Sequence, residues 1–394
     1  MGGRAKARRE TMKSLLIQNG MVAHEGELKR WDVLCEDGKI AALGTGLCAD
    51  GAEVIDAAGM LVAPGFIDAH THGAAGVDVN AADEDGLRKI ASFFATQGTT
   101  AFCASILTDT DETTRRCLAA IQTVSGERGN GAQLLGAHLE GPFLAKAYKG
   151  AMPEHLLREG DAALLRRWQS EFPGVIAYIT VSPEVPGVVE MIREIAEDVP
   201  VAIGHSGADY ETSMCAIRAG ARCITHTFNA MRLFHQHEPA IMGAALESDC
   251  YCEAICDGRH LHPGTVRMLI KCKGLDRVMA VTDSIMAAGL PDGHYKLGVN
   301  DVVVVDGDAK LADTGVRAGS TLTTGQALRN LVRFTGRPAQ EVLPMLTENP
   351  ARALRIDERK GSIDTGKDAD IVLLDAQTLD VKRTIAGGVS VFEA

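Results

Sequence analysis

Six residues of this chain carry side chains that ligate metals or move protons, and their placement is shared. His70 and His72 close one apolar run, while Glu140, His205, His226 and Asp283 each close another. The pair His70-Thr-His72 has i, i+2 spacing, which puts both imidazoles on one face of an extended chain. Glu140 brings a carboxylate, and His205 and His226 bring neutral nitrogen donors. That mixture suits Zn²⁺ or Fe²⁺ rather than Mg²⁺, which prefers oxygen. Asp283 ends the stretch Val-Met-Ala-Val-Thr-Asp. A carboxylate there, aimed at water activated by a metal, is placed to act as general base and later as proton donor; as a bare sequence feature it reads equally as a turn or helix-cap aspartate. His260, in Asp257-Gly-Arg-His260, is placed to hydrogen-bond a carbonyl oxygen as negative charge develops on it, or else to sit on a surface loop. His138, two residues before Glu140 on the same strand face, has a supporting position and stays outside the ligand set.

Scattered residues meet only if the elements that carry them converge. From residue 61 compact apolar runs alternate with longer amphipathic stretches; the runs span 61–68, 100–105, 134–140, 175–181, 201–205, 223–226, 251–256 and 278–283. Residues 84–97 read as a helix, with Leu87, Ile90 and Phe94 at helical spacing and Gly98 as a stop; 325–334 and 338–346 read similarly. Strand then helix, eight times, predicts a (β/α)₈ TIM barrel, whose parallel strands all deliver their C-terminal ends to one mouth. No G-x-G-x-x-G follows the first strand, which argues against a dinucleotide-binding sheet and an oxidoreductase. Short strands at 15–18, 31–35, 39–43, 54–56, 369–374 and 388–392 predict a small β-sandwich built from both chain ends. The expected division is a frayed tail over 1–12, a sandwich over 13–60 plus 350–394, and a metal-dependent hydrolase barrel over 61–349.

Composition narrows the partners. Forty basic and 52 acidic residues give a net charge of −12, against the basic face that nucleic acid or an anionic membrane requires. Apolar stretches fall short of the ~20 residues of a membrane helix, and no signal-peptide pattern follows the basic start; a cytoplasmic protein is expected. The ten cysteines contain no C-x-x-C pair, and Cys250, Cys252 and Cys256 read as buried small hydrophobes rather than ligands.

The chain resembles the N-acetylglucosamine-6-phosphate deacetylase family of the amidohydrolase superfamily. The stretches that carry the resemblance are Pro64-Gly-Phe-Ile-Asp-Ala-His-Thr-His-Gly73, His138-Leu-Glu-Gly-Pro-Phe143, Gly204-His-Ser206, Thr225-His-Thr-Phe-Asn-Ala-Met231, Asp257-Gly-Arg-His260, Val281-Thr-Asp283 and Ala318-Gly-Ser-Thr-Leu322. The closing segments Asn349-Pro-Ala-Arg-Ala-Leu354 and Asp368-Ala-Asp370 follow in order.

The resemblance implies that Glu140, His205 and His226 hold the main ion. His70 and His72 would hold a second, bridged by Glu140 and touching Asp283, so one or two ions bind per subunit. Zinc is expected, with iron, cobalt or manganese as alternatives. Asp283 would be the catalytic acid/base and His260 the group that polarises the acetyl carbonyl. Asn229 and the Ala230 backbone N–H match the family's sugar-phosphate contacts, and Ala151 joins the substrate-binding set.

Two positions depart from the family. His237 stands where an arginine normally reaches the phosphate from a neighbouring subunit, and Met152 stands where a histidine is usual. His237 remains a substrate-binding candidate, and Arg232 either supplies the missing charge or is a solvated loop residue. The expected reaction is hydrolysis of the N-acetyl group of N-acetyl-D-glucosamine 6-phosphate by a homodimer. The alternatives are N-acetylgalactosamine 6-phosphate, a cyclic amide, or a metal-binding or sugar-sensing barrel without turnover.

Overall fold

Strands buried on both faces read as unbroken apolar runs, and a parallel sheet wrapped in helices is the arrangement that buries them. In the computed structural model, which describes residues 14–129 and 131–394, eight such strands form one sheet. They are β1 (Phe66–Thr71), β2 (Thr99–Leu107), β3 (Gln133–Glu140), β4 (Ile176–Val181), β5 (Val201–Ile203), β6 (Cys223–Ile224), β7 (Tyr251–Ile255) and β8 (Val278–Val281). Neighbours in this order pair in parallel register. The ring closes between β1 and β8 at its C-terminal end. There the Asp283 N–H donates to the His70 carbonyl (2.9 Å) and the His72 N–H to the Ser284 carbonyl (2.7 Å). The expected (β/α)₈ barrel is the observed fold; the tail over 1–12 lies outside the described residues.

Helices follow the strands and turn one apolar side inward. Glu84–Ala95 starts where the Asp83 side chain accepts the Gly86 N–H and buries Leu87, Ile90 and Phe94. It ends two residues before the expected position, and Gly98, with φ of 83°, turns the chain into β2. Thr324–Thr335 stops before Gly336 in the left-handed region. The helix expected over 338–346 breaks into Ala339–Val342 and a 3₁₀ turn Leu343–Leu346, because Pro344 has no N–H to continue the ladder. No helix among the described residues is long and apolar enough to cross a membrane.

The chain ends build two more sheets. One orders Lys39–Gly44, Asp32–Glu36, Leu15–Gln18 and Glu53–Asp56; the other orders Val389–Glu393, Val381–Ala386, Ile371–Asp375, Met60–Pro64, Met21–His24 and Glu27–Lys29. Their inner faces share one apolar core, including Leu15, Val33, Ile40, Val62, Ile371 and Ile385, which makes them a sandwich. The first apolar run, 61–68, is therefore two strands. Met60–Pro64 pairs antiparallel with Ile371–Asp375 in the sandwich, and β1 begins after Gly65. Both halves are buried throughout, so no change in hydropathy marks the junction.

A three-stranded antiparallel sheet, Gly293–Leu297, Asn300–Val305 and Asp308–Leu311, follows β8 and does not figure in the sequence reading. Its apolar face packs on Leu107, Leu144 and Met152 at the barrel mouth. Asp306 and Gly307, both with positive φ (52° and 72°), form its second hairpin, the two-residue Asp-Gly turn that was the available sequence signal.

Gly65 is the joint between sandwich and barrel, and its space is taken: a Cβ there would lie 2.2 Å from Thr100 Cγ2 and Oγ1. Gly65→Ala should destabilise the protein by about 1–3 kcal/mol through overpacking. A lowered urea midpoint is the expected reading; an unchanged midpoint means that Thr100 yields freely.

Candidate metal centre

Each chemically equipped side chain sits at or just beyond the C-terminal end of a barrel strand. Glu140 is the last residue of β3, and His72 follows directly on β1. His205, His226 and Asp283 lie two residues past β5, β6 and β8. All three have left-handed backbone, with φ of 47°, 26° and 48°. For residues with a Cβ that conformation costs roughly 1–3 kcal/mol each, and it persists where surrounding structure over-determines it. Here the enforcing bonds include the Asp283 N–H to His70 and the His226 N–H to the Glu253 carboxylate (2.9 Å).

The donors converge into two groups that share Glu140. In one, Glu140 Oε1 lies 3.1 Å from His205 Nε2 and 3.3 Å from His226 Nε2, and the two nitrogens are 2.9 Å apart. In the other, His70 Nε2 and His72 Nε2 are 3.2 Å apart, with Glu140 oxygens 3.4 Å from His70 and 3.2 Å from His72. Asp283 Oδ1 approaches that second group, 3.3 Å from His72 Nε2 and 3.6 Å from His70 Nε2. A tetrahedral ion about 2.0–2.1 Å from each donor would separate its ligands by about 3.3–3.4 Å, close to the spacing found.

Proton placement strengthens the fit. His70 Nδ1 faces Glu253 Oε2 at 3.0 Å, His72 Nδ1 the Ser105 carbonyl at 3.2 Å, and His205 Nδ1 the Tyr148 carbonyl at 2.8 Å. Those oxygens only accept, so each Nδ1 carries a hydrogen and each ring turns its Nε2 inward, the atom that would offer a lone pair to a bound ion. Lone pairs facing one another and a carboxylate repel unless a cation lies between them. The electrostatics agree. Burial alone would depress the His72 pKa, but Glu140 and Asp283 lift it to about 9. Burial would raise Glu140, yet His70 and His72 hold it well below the usual carboxylate range. The cluster calls for positive charge, and a divalent ion answers that demand.

Glu253, in the middle of β7 and fully buried, was missed by reading strand ends alone. It accepts from His70 Nδ1, from the Tyr178 hydroxyl (2.9 Å) and from the His226 N–H, tying three strands to the centre. A carboxylate inside the apolar run Tyr-Cys-Glu-Ala-Ile was the available signal. Asp257 was quoted but given no task. Its carboxylate accepts from the His260 N–H and Nδ1, both at 2.7 Å, and so sets the ring's orientation. His138 is fully committed, to Ser105 Oγ and Thr180 Oγ1 at 2.8 Å each, and burial first, then the neighbouring His70, keep it well below the normal imidazole pKa. Cys250, Cys252 and Cys256 are buried free thiols and belong to neither donor group.

A cavity of about 330 Å³ opens over the centre. His260, Asn229, Ala230, Ala151 and Met152 line it beside the ligands. The Ala230 carbonyl accepts the Ser206 N–H, while its own N–H has no partner among the described residues. Arg232 and His237 are not brought to this cavity. Arg232 pairs with Glu238, and His237 lies on the exposed loop with its ring 5.4 Å from that of His235. Arg317, just beyond the three-stranded insert, lines the cavity instead.

Comparison with known proteins places this constellation. Residues 61–391 match the amidohydrolase family model. The chain is 36% identical to N-acetylglucosamine-6-phosphate deacetylase of Lysinibacillus sphaericus, over 95% of this chain and 97% of the relative. It is 34% identical to N-acetylgalactosamine-6-phosphate deacetylase of Escherichia coli O157:H7, covering 93% and 96%. The crystal structure of N-acetylglucosamine-6-phosphate deacetylase from Pasteurella multocida superposes with a TM-score of 0.90 at 28% identity, covering 96% of this chain and 99% of that one. With its barrel, its two Glu140-centred donor groups and similarity along nearly the whole length, this chain belongs to the amidohydrolase family, among the N-acetylglucosamine-6-phosphate deacetylases.

Proposed function

We propose that the protein hydrolyses the N-acetyl group of N-acetyl-D-glucosamine 6-phosphate, releasing glucosamine 6-phosphate and acetate. The observation that carries this reading is the pair of donor groups meeting at Glu140 beneath a cavity that also holds Asp283 and His260. We assign zinc to the Glu140–His205–His226 group and a second divalent ion to His70, His72 and Glu140. A bound ion supplies Lewis acidity, lowering the pKa of water and stabilising negative charge.

The chain's own groups do the rest. Asp283 takes a proton from the attacking water and returns it to the departing amine, which is chemistry for a carboxylate kept ionised. Burial would raise its pKa, but His70 and His72 hold it below the usual range. His260 donates from Nε2 to the amide oxygen as charge builds there. Its Nδ1 is engaged by Asp257, which fixes the orientation of the ring in the cavity wall. The Ala230 N–H offers a donor to the sugar phosphate. A homodimer belongs to the same reading; its support is a loop that leaves Leu233 81% and Phe234 57% exposed. A second reading, in which the sugar has the galacto configuration, is supported by the 34% identity to N-acetylgalactosamine-6-phosphate deacetylase of Escherichia coli O157:H7.

Three measurements test this. Zinc-loaded protein should release acetate from N-acetylglucosamine 6-phosphate with a kcat/KM at least about tenfold above that for the galacto isomer, a difference of about 1.4 kcal/mol. Turnover confined to the galacto isomer or to a cyclic amide would reverse the assignment. Asp283→Asn should lower kcat by about a thousandfold or more while bound metal stays near the parent level, and undiminished turnover removes Asp283 from proton transfer. Glu253→Gln should weaken metal affinity about 10–100-fold, read by competition with a chelator. Parent-like affinity would reduce Glu253 to a packing residue.

A further inference from the structure

The cavity over the metal centre has one permanently charged cation among the described residues that line it, Arg317. Within this chain neither Arg232, which is engaged by Glu238, nor His237 lines the cavity, and His237, at the position that serves a neighbouring subunit in the family, lacks the permanent charge and fork of the arginine it replaces. Arg317 is held rather than free. Its Nε and Nη2 donate to the two carboxylate oxygens of Asp308, at 2.8 and 3.1 Å, which fixes the plane of the guanidinium. Lys310 Nζ also reaches Asp308, at 3.0 Å. One carboxylate serving two cations leaves surplus positive charge, and Arg317 Nη1 keeps its hydrogens uncommitted among the described residues.

The segment that follows sets where this charge stands relative to the reacting atoms. The Ser320 N–H donates to the Asp283 carbonyl (2.7 Å), and Ser320 Oγ donates to the Thr282 carbonyl (2.6 Å). At Gly319, with φ of 60°, a Cβ would lie 2.9 Å from the Asp283 carbonyl and 2.4 Å from Ile285 Cγ2. Three residues thus connect the guanidinium to the backbone of the proposed proton carrier, with no slack between them.

We infer that Arg317 is a specificity-determining residue that binds the phosphate monoester of the substrate, within one chain, from the segment joining the insert to the barrel. The inference rests on the deacetylase reading above. A planar guanidinium with free N–H groups recognises a phosphate dianion through charge-assisted hydrogen bonds. Its fixed spacing from Asp283 would orient the acetamido group toward the centre.

The test compares the parent protein with Arg317→Met, which keeps the aliphatic length, and Arg317→Lys, which keeps the charge. Substrates are N-acetylglucosamine with and without the 6-phosphate, and inorganic phosphate serves as a competing anion. For Arg317→Met we expect KM for the phosphorylated sugar, and the inhibition constant of inorganic phosphate, to rise about tenfold to a hundredfold. The loss should fall on KM rather than kcat, the unphosphorylated sugar should be handled as by the parent, and Arg317→Lys should recover part of the loss. An equal loss on both sugars, or a drop in kcat with KM unchanged, overturns the inference and makes Arg317 a structural residue. If the parent hydrolyses neither sugar, the deacetylase reading fails. Inorganic phosphate titrated into parent and Arg317→Met by calorimetry then still decides Arg317, because equal affinities overturn its role and a weakened variant upholds it.

Discussion

Imidazole lone pairs driven toward a shared carboxylate are the constraint around which this protein is organised. Glu253, the Ser105 carbonyl and the Tyr148 carbonyl each claim the outer nitrogen of one histidine. The inner nitrogens are thereby left facing Glu140, where positive charge has to lie between them. Such an arrangement is poor as a protein interior and good as a coordination sphere. The fold bears the cost by surrounding it with strands whose other residues are mostly apolar.

Closure of the barrel serves the same constraint. The hydrogen bonds that join the first and last strands run through His70, His72, Asp283 and Ser284, so two candidate ligands and the proposed proton carrier are also the seam. Left-handed backbone at His205, His226 and Asp283 belongs to this picture, because those residues must leave their strands and still face the axis. Strain of this kind is tolerable only in a frame that does not move, which a closed parallel barrel provides.

Much of this was legible because barrel chemistry collects where apolar runs end. The six placements His70, His72, Glu140, His205, His226 and Asp283 could be found from hydropathy and residue type together. Glu253 could not be found by that rule, since it lies mid-strand, and a buried carboxylate reveals its partners only in three dimensions. The junction at Gly65 was hidden because sandwich and barrel bury their strands equally well, leaving no hydropathic boundary. The insert of residues 293–311 escaped for another reason: it lies outside the strand–helix alternation, although the β-branched run Val302–Val305 and the Asp306-Gly307 turn mark a hairpin. Arg317 was passed over because its importance depends on the cavity that this insert helps to wall.

The pairing of Met60–Pro64 with Ile371–Asp375 also bears on how the chain comes into being. The strand that leads into the barrel can pair with Met21–His24 early, but its second sandwich partner arrives only after every barrel strand has been synthesised. Until the last segments leave the ribosome, one edge of Met60–Pro64 is paired with Met21–His24 and the other edge has no strand beside it, and non-local pairing of that sort forms late. The enzyme's two ends thus act as a clasp, fastened last, on a ring whose own seam is its chemistry.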